Sequence, residues 1–337
     1  MQVSIVMCTY NGGKFLPDQL DRISFQTRLP DEFVACDDGS TDTTLATLKA
    51  YAKAVKFPVR VRCNTARLGV AKNFEQAISL AQGDIIVLCD QDDVWRYDKL
   101  QILEQVFSKN PNAGFVFSDA MLIDEDGRSV HHSLWQQVSF HSKKRAIFCQ
   151  GPLDQVQILV GRNVVTGAAM ALRSSLKPIV LPVLEQWVHD EWIAFAASLH
   201  GIRGLPIQEP LIYYRKHSAQ VIGGPRRSPV ELLKRGWWYF SGDPQAYGYL
   251  EHEIRKWNTL CALLKGAISQ ASPVLPLLEA KVAHVTLRAK LCRWPRAIRL
   301  AAIAAELSHG GYHLYSTGWR SVIKDLLVPT LSDLHAG

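Results

Sequence analysis

Five short apolar runs, residues 3–8, 33–36, 59–62, 85–89 and 115–117, recur along the first third of the chain with helix-patterned segments between them. That alternation predicts a parallel α/β sheet. Phe15, Leu16, Leu20 and Ile23 stand at helical spacing in the first gap, residues 14–25, and a second helix over residues 41–54 follows an acidic, Ser-rich cap. Each run then delivers polar residues at its carboxyl end. Thr9-Tyr10-Asn11-Gly12 follows the first, Asp37-Asp38-Gly39-Ser40-Thr41-Asp42 the second, and Asp90-Gln91-Asp92-Asp93 the fourth. Open α/β sheets bind ligands at that edge.

The 337 residues, 47% hydrophobic and 20% charged, are enough for one large domain and an appendage. The formal charge of +7 is unevenly placed: 23 Lys and Arg balance 23 Asp and Glu through Gly223, whereas the remainder carries 15 against 8. Seven cysteines without a CxxC pair read as small core residues of a reducing compartment. The first strand starts at once, without a basic segment and apolar run before it, so a cleaved signal peptide is not expected and the protein is expected to be cytoplasmic. Residues 119–162 are irregular and polar, as in a loop or hairpin insertion. Beyond Pro229 the chain becomes helix-like and basic and holds five of the nine tryptophans. Within residues 281–306, apolar positions alternate with Arg288, Lys290, Arg293, Arg296 and Arg299, and Pro295 should split the segment into two helices. Two readings fit: an anionic membrane surface as partner, or a helical extension packed on the first domain with its arginines facing water. Nucleic acid is a poor fit, because the net-neutral first 223 residues supply no basic groove.

The chemistry concentrates in the acidic stretches. Asp90, Asp92 and Asp93 would repel one another unless a hard divalent ion such as Mg²⁺ or Mn²⁺ sat among them, and such ions keep waters and take diphosphate oxygens as further ligands. That is the signature of a nucleoside-diphosphate site; the plain alternative is an acidic turn before the helix that starts near Asp98. Asp37 and Asp38 are compatible with an ordinary turn and helix cap. Beside Thr9, Tyr10 and Asn11 they also supply acceptors and donors of the size a pyrimidine edge and a ribose hydroxyl need. Arg67 and Lys72 are candidates to hold a donor, or plain surface charges. Neither GxGxxG nor GxxxxGK occurs in the right context.

Over residues 1–223 the chain resembles the family 2 inverting glycosyltransferases, enzymes with a Rossmann-like, A-type nucleotide-diphospho-sugar transferase fold. The resemblance is carried, in order and spacing, by residues 3–12, residues 37–42, Arg67-Leu68-Gly69 with Asn73, residues 90–93, Thr166-Gly167, His189-Asp190 and Tyr214-Arg215-Lys216-His217. It implies that Thr9, Asn11 and Asp38 contact the nucleoside, with Tyr10, Asp37, Arg67, Asn73, Gln91, Thr166 and Gly167 in the nucleotide-sugar site. It implies that Asp90 and Asp92 form the motif for Mg²⁺ or Mn²⁺, that His217 completes it, and that Asp190 is the catalytic base. The chemistry asks for the same roles: an attacking hydroxyl must lose a proton, and a departing diphosphate needs its charge neutralised. Many relatives place Glu before the base, whereas His189 stands there in this chain, so Glu191 remains a rival.

The resemblance implies a catalytic domain over residues 1–224, and the change in composition marks a basic, Trp-rich helical region over residues 225–337. Transfer to a hydroxyl of a surface polysaccharide such as O-antigen, or of a lipid-linked glycan, is expected; on the membrane reading of the basic tail the enzyme would be peripheral on the inner face of the membrane. Within the rhamnosyltransferase-like subset the donor would be dTDP-rhamnose, otherwise a UDP-sugar; Gln220, before Gly223, takes the place of an Asn common in that subset. Two rival readings remain, a nucleotidyltransferase, for which Gly12-Gly13-Lys14 is a poor phosphate loop, and a non-catalytic nucleotide- or glycan-binding module.

Overall fold

The computed structural model describes residues 1–218, 220, 248–267, 272–291 and 293–327. The chain forms two compact units, residues 1–155 with 164–225 and residues 156–163 with 226–337. The expected domain boundary at 224/225 and the tryptophans at 237 and 238 lie outside the described residues.

The first unit is built on one mixed sheet. Its strands are β1 (Val3–Thr9), β2 (Glu32–Asp37), β3 (Val59–Cys63), β4 (Ile85–Asp90), β5 (Val94–Trp95), β6 (Ala113–Ile123), β7 (Ser129–Ser133), β8 (Met170–Arg173) and β9 (Arg203–Arg215). They run in the order β3-β2-β1-β4-β8-β6-β9-β5, with β7 paired to β6. The first four pair in parallel, and β2 and β4 read as unbroken apolar runs because both faces of the sheet are covered. At the edge, β3 exposes Arg60 and Arg62, which blunts it against further pairing. The expectation of a parallel sheet fails beyond β4, for β8 runs antiparallel to both β4 and β6. Nothing in the apolar run of residues 164–172 marks direction, and only its last part, with Arg173, is strand.

Helices α1 (Leu16–Ser24), α2 (Thr44–Ala54), α3 (Val70–Leu80) and α4 (Lys99–Lys109) occupy the connections between the early strands. In α1, Leu16, Leu20 and Ile23 face the core, and buried Gln19 bridges to the sheet by donating to Cys89 Sγ and accepting from Trp95 N. Residues 119–162 are more ordered than their composition suggests. A β6–β7 hairpin is followed by helices over Ser142–Phe148 and Pro152–Gly161, so the insertion reading holds for the hairpin alone.

In the second unit the described residues are helical: Gly248–Ala267, Val274–Leu291, Arg296–Ser308, Gly311–Tyr315 and Trp319–Leu327. Pro295 caps the helix Arg296–Ser308, so the break falls where the proline placed it. The core gathers Leu291, Ile303, Tyr312 and Val322. The expected wet face holds for Lys290, Arg293 and Arg296, which are exposed, and fails for the other cations of the segment. Lys281, Arg288 and Arg299 are buried, and Arg288 makes a two-bond pair with buried Asp325, whose Oδ2 also accepts from Tyr312. His284 is buried against Glu306, its Nδ1 2.6 Å from Oε1, and burial with Arg288 and Lys281 nearby pulls its pKa to about 3. The alternating pattern of residues 281–306 therefore marks internal polar pairs as well as surface.

Candidate active site

Strand register builds the site. Cys8 lies opposite both Cys36 and Asp90, and Thr9 lies opposite Asp37, so the polar segments after β1, β2 and β4 emerge at one edge of the sheet. They open on a cavity of about 270 Å³. Of the residues expected in the site, Thr9, Tyr10, Asp38, Arg67, Asn73, Asp90, Gln91, Asp92, Thr166, Gly167, Asp190 and His217 line it.

The first end of the cavity is organised by Asp38. Its Oδ1 accepts from Asn64 Nδ2 at 2.9 Å and Leu68 N at 2.8 Å, and its Oδ2 accepts from Gly69 N at 2.8 Å. A carboxylate has about four acceptor sites, so one stays open for a ligand N–H or O–H. Below it Asn73 takes a bond from Asn64 and donates to the Cys36 carbonyl, which ties α3 to β2. Arg67 spreads its guanidinium 3.9 Å from the centre of the Tyr10 ring, a flat cation–aromatic wall. Asn11 and Asp37 are absent from the lining. Asp37 is fully buried and accepts from Thr9, from the Ser40 hydroxyl and from Ser40 N, while Asn11, at φ 46°, accepts from Thr41 N. Both hold the turn that presents their neighbours.

Gln91 crosses from β4 to the β1 turn, accepting from Tyr10 N at 2.9 Å and donating to Tyr10 O at 3.1 Å. A Cβ at position 12 would overlap the Gln91 amide, so any residue but glycine there would push that side chain aside. Beyond it, one oxygen each of Asp90, Asp92 and Asp93 lies within 4.8 Å of the others. Burial, then Asp92 and Asp190, lift the Asp90 carboxyl to about 8, against the pull of Lys99. Asp93 rises well above its usual value through burial and its two acidic neighbours. Its Oδ1 accepts from Arg215 N, but its Oδ2 is buried with no hydrogen-bond partner among the described residues. His217 donates from Nε2 to Asp92 Oδ2 at 2.7 Å, and its ring lies 4.7 Å from that of Phe15. Three crowded carboxylates, one with an orphaned buried oxygen, and an imidazole beside them are a donor set that fits a hard divalent cation.

The third side comes from Thr166-Gly167 and the helix α5 (His189–Leu199). Asp190 Oδ2 accepts from Gly167 N at 2.7 Å, and Oδ1 accepts from Glu191 N at 2.6 Å. Asp190 lines the cavity and Glu191 does not. His189 also lines it, stacked on Phe74 with ring centres 4.0 Å apart, and burial lowers its pKa to about 3, so it is a neutral imidazole.

Sequence reasoning missed His189, Tyr214, Gln220 and Lys99 as site residues. Gln220 donates to Arg215 O at 2.5 Å and lines the cavity. Lys99 is fully buried, donates to the Ala168 carbonyl at 3.0 Å and sits 3.6 Å from the Trp95 ring centre. Burial lowers its pKa to about 7, opposed by Cys89, Asp93 and Asp90. A Lys opening a helix carries no sign of burial in its sequence context.

The sheet order, with a metal-compatible acidic turn at its edge, defines an A-type glycosyltransferase fold. Two solved structures share it: Staphylococcus aureus TarS residues 1–349 in complex with UDP-GlcNAc, TM-score 0.53, 16% identity, 97% of this chain and 88% of that one; and the mannosyltransferase PcManGT of Pyrobaculum calidifontis in complex with GDP-Man and Mn²⁺, TM-score 0.54, 18% identity, 97% and 84%. The model of glycosyl transferase family 2 matches residues 4–177, and the chain belongs to that family. Relatives include an uncharacterized protein of Mycobacterium tuberculosis, Rv1520, 33% identical over 128 residues, and the abequosyltransferase RfbV of Salmonella typhimurium, 32% identical over 106 residues. The matches cover 37% of this chain and 37% of the first, 31% and 32% for the second, so the chain spans about a third of the length of these relatives.

Proposed function

We propose that the protein transfers a sugar, with inversion, from a nucleoside-diphosphate donor to a glycan hydroxyl. The observation that carries this is the one cavity that brings together Asp38, Asp90 and Asp92 with His217, and Asp190. The open acceptor site of Asp38 and the Arg67–Tyr10 wall take the nucleoside end, with Asn11, Asp37 and Thr9 holding the turn. Asp92, Asp90 and His217 would hold Mg²⁺ or Mn²⁺, and the cation supplies positive charge against that developing on the leaving diphosphate.

Asp190 performs the proton transfer. Two backbone N–H groups fix its carboxylate at the cavity wall, which orients an oxygen toward an acceptor hydroxyl and lets it take the proton as the bond to the anomeric carbon forms.

A polysaccharide acceptor is supported by the similarity to the putative teichuronic acid biosynthesis glycosyltransferase TuaG of Bacillus subtilis, 29% identical over 125 residues. A lipid-linked acceptor would make the enzyme a peripheral protein on the inner membrane face. The rhamnosyl donor rests on sequence resemblance alone. Thermal unfolding against a panel including dTDP-rhamnose, UDP-GlcNAc and GDP-mannose, each with Mn²⁺, Mg²⁺ or EDTA, tests the reading. One donor should raise the melting temperature in a metal-dependent way, because a ligand at 100 times its Kd adds about 2.7 kcal/mol of native-state stability. That donor should also be slowly hydrolysed. Stabilisation without hydrolysis would support a binding module, and no stabilisation by any nucleotide sugar would contradict the proposal.

A further inference from the structure

Two helices of the second unit are amphipathic in the inverted sense, with charge inside and apolar surface outside. In Arg296–Ser308 the buried side holds Arg299 and Ile303, with Glu306 half-buried. Apart from Arg296, which borders them, the exposed residues Ala297, Ile298, Leu300, Ala301, Ala304, Ala305 and Ser308 carry no charge and fall within an arc of about 160°. In Trp319–Leu327 the buried side is Ser321, Val322 and Asp325. Leu326, Trp319, Ile323 and Leu327 are all exposed and share an arc of about 100°, which Arg320 and Lys324 extend. Trp319 is 62% exposed, Ile323 53%, and Ile298 and Leu300 55% each. The two helices pack on one another.

We infer that these faces dock in the plane of an anionic lipid bilayer. The charges that accompany them select this occupant: Arg293, Arg296, Arg320 and Lys324 are exposed, whereas the two acidic residues of positions 293–327, Glu306 and Asp325, are half-buried and buried. An apolar stripe with a tryptophan and a one-sided basic border is the pattern of an interfacial helix. Spanning is ruled out for these two helices by length, since nine and thirteen residues reach about 14 and 20 Å against a hydrocarbon core of about 30 Å. The inference deepens the glycan-assembly reading and rests on it only for biological purpose, since a lipid-linked acceptor is presented at such a surface.

The test uses the full chain and sedimentation with phosphatidylcholine vesicles containing phosphatidylglycerol, in low and high salt. Binding should be present and weaken with salt. Trp319→Glu with Ile323→Glu, and separately Ile298→Glu with Leu300→Glu, should each reduce partitioning more than tenfold, because each removes two apolar side chains from the lipid boundary. Arg320→Gln with Lys324→Gln should weaken binding about fivefold per charge. All six positions are exposed, so unfolding temperature and nucleotide-sugar binding should not change. Absence of vesicle binding, binding indifferent to both apolar double variants, or a dimer that these variants dissociate would overturn the inference. Donor binding measured on the same samples would then still decide the catalytic reading separately.

Discussion

Replacing Asp190 by Asn separates the proton-transfer role from the structural one. Asp190 offers one oxygen to Gly167 N and the other to Glu191 N. Asn has a single oxygen, so one of those N–H groups must face an amide that cannot accept. The lost bond costs about 1–3 kcal/mol of stability. That cost is measurable in the unfolding temperature and should leave the protein folded, because the pair lies at the helix start and outside the hydrophobic core. Loss of the base is a different quantity. General-base assistance is worth about 10²–10⁴ in rate, or roughly 2.7–5.4 kcal/mol of barrier. Donor hydrolysis, with water as acceptor, should fall by that factor at saturating donor, with donor affinity within about threefold of wild type. Glu191→Gln should change turnover less than tenfold, because Glu191 does not line the cavity. Greater damage from the Glu191 change would move the base by one residue, and unimpaired turnover in both variants would refute the mechanism.

Gly12→Ala should displace the Gln91 amide and its two bonds to Tyr10; at about 0.5–1.5 kcal/mol per bond, the unfolding temperature should fall measurably, and donor affinity should fall in calorimetry as the Tyr10 turn loosens. Asp325→Ala strips the partner from buried Arg288 and should cost about 3–5 kcal/mol in denaturant unfolding of the second unit; a loss below 1 kcal/mol would mean that the pair is not buried. His189 and His284 have folded-state pKa values lowered to about 3 from 6.5. The unfolded chain therefore binds their protons first, so their contribution is complete above about pH 6.5 and is lost as the pH falls toward 3. His284→Gln should flatten that slope in unfolding curves between pH 6.5 and 4.5.

The strand-by-strand part of the fold was legible because β1, β2 and β4 are buried on both faces, which forces continuous apolar runs, and because each ends in polar residues that have nowhere to go but the sheet edge. The later sheet was not, since the reversal at β8 and the length of β6 depend on pairing partners far away in sequence. The site shows the same division. Asp38, Asp90, Asp92 and Asp190 were readable from motif and order. Asp37 looks identical to Asp38 on paper, but it is the last residue of β2 while Asp38 lies beyond the strand, so one turns into the core and the other to the cavity. His189 was legible only as the residue before Asp190, and its stacking on Phe74 had no local signal. Lys281, Arg288 and Arg299 look like a wet basic stripe because periodicity reports a face without saying what covers it, and the residues that bury Arg288 come from 24 and 37 positions further on.

The proposed function depends on a divalent ion held by the acidic cluster and presenting the donor diphosphate. It is tested most directly by calorimetry of UDP and dTDP binding to the wild-type protein and to Asp92→Asn, each with Mn²⁺ and with EDTA. At least one nucleotide should bind the wild type at least tenfold more tightly with Mn²⁺, and Asp92→Asn should bind it weakly and equally in both conditions. Equal affinity of the wild type with and without metal, or an undiminished metal effect in Asp92→Asn, would contradict it.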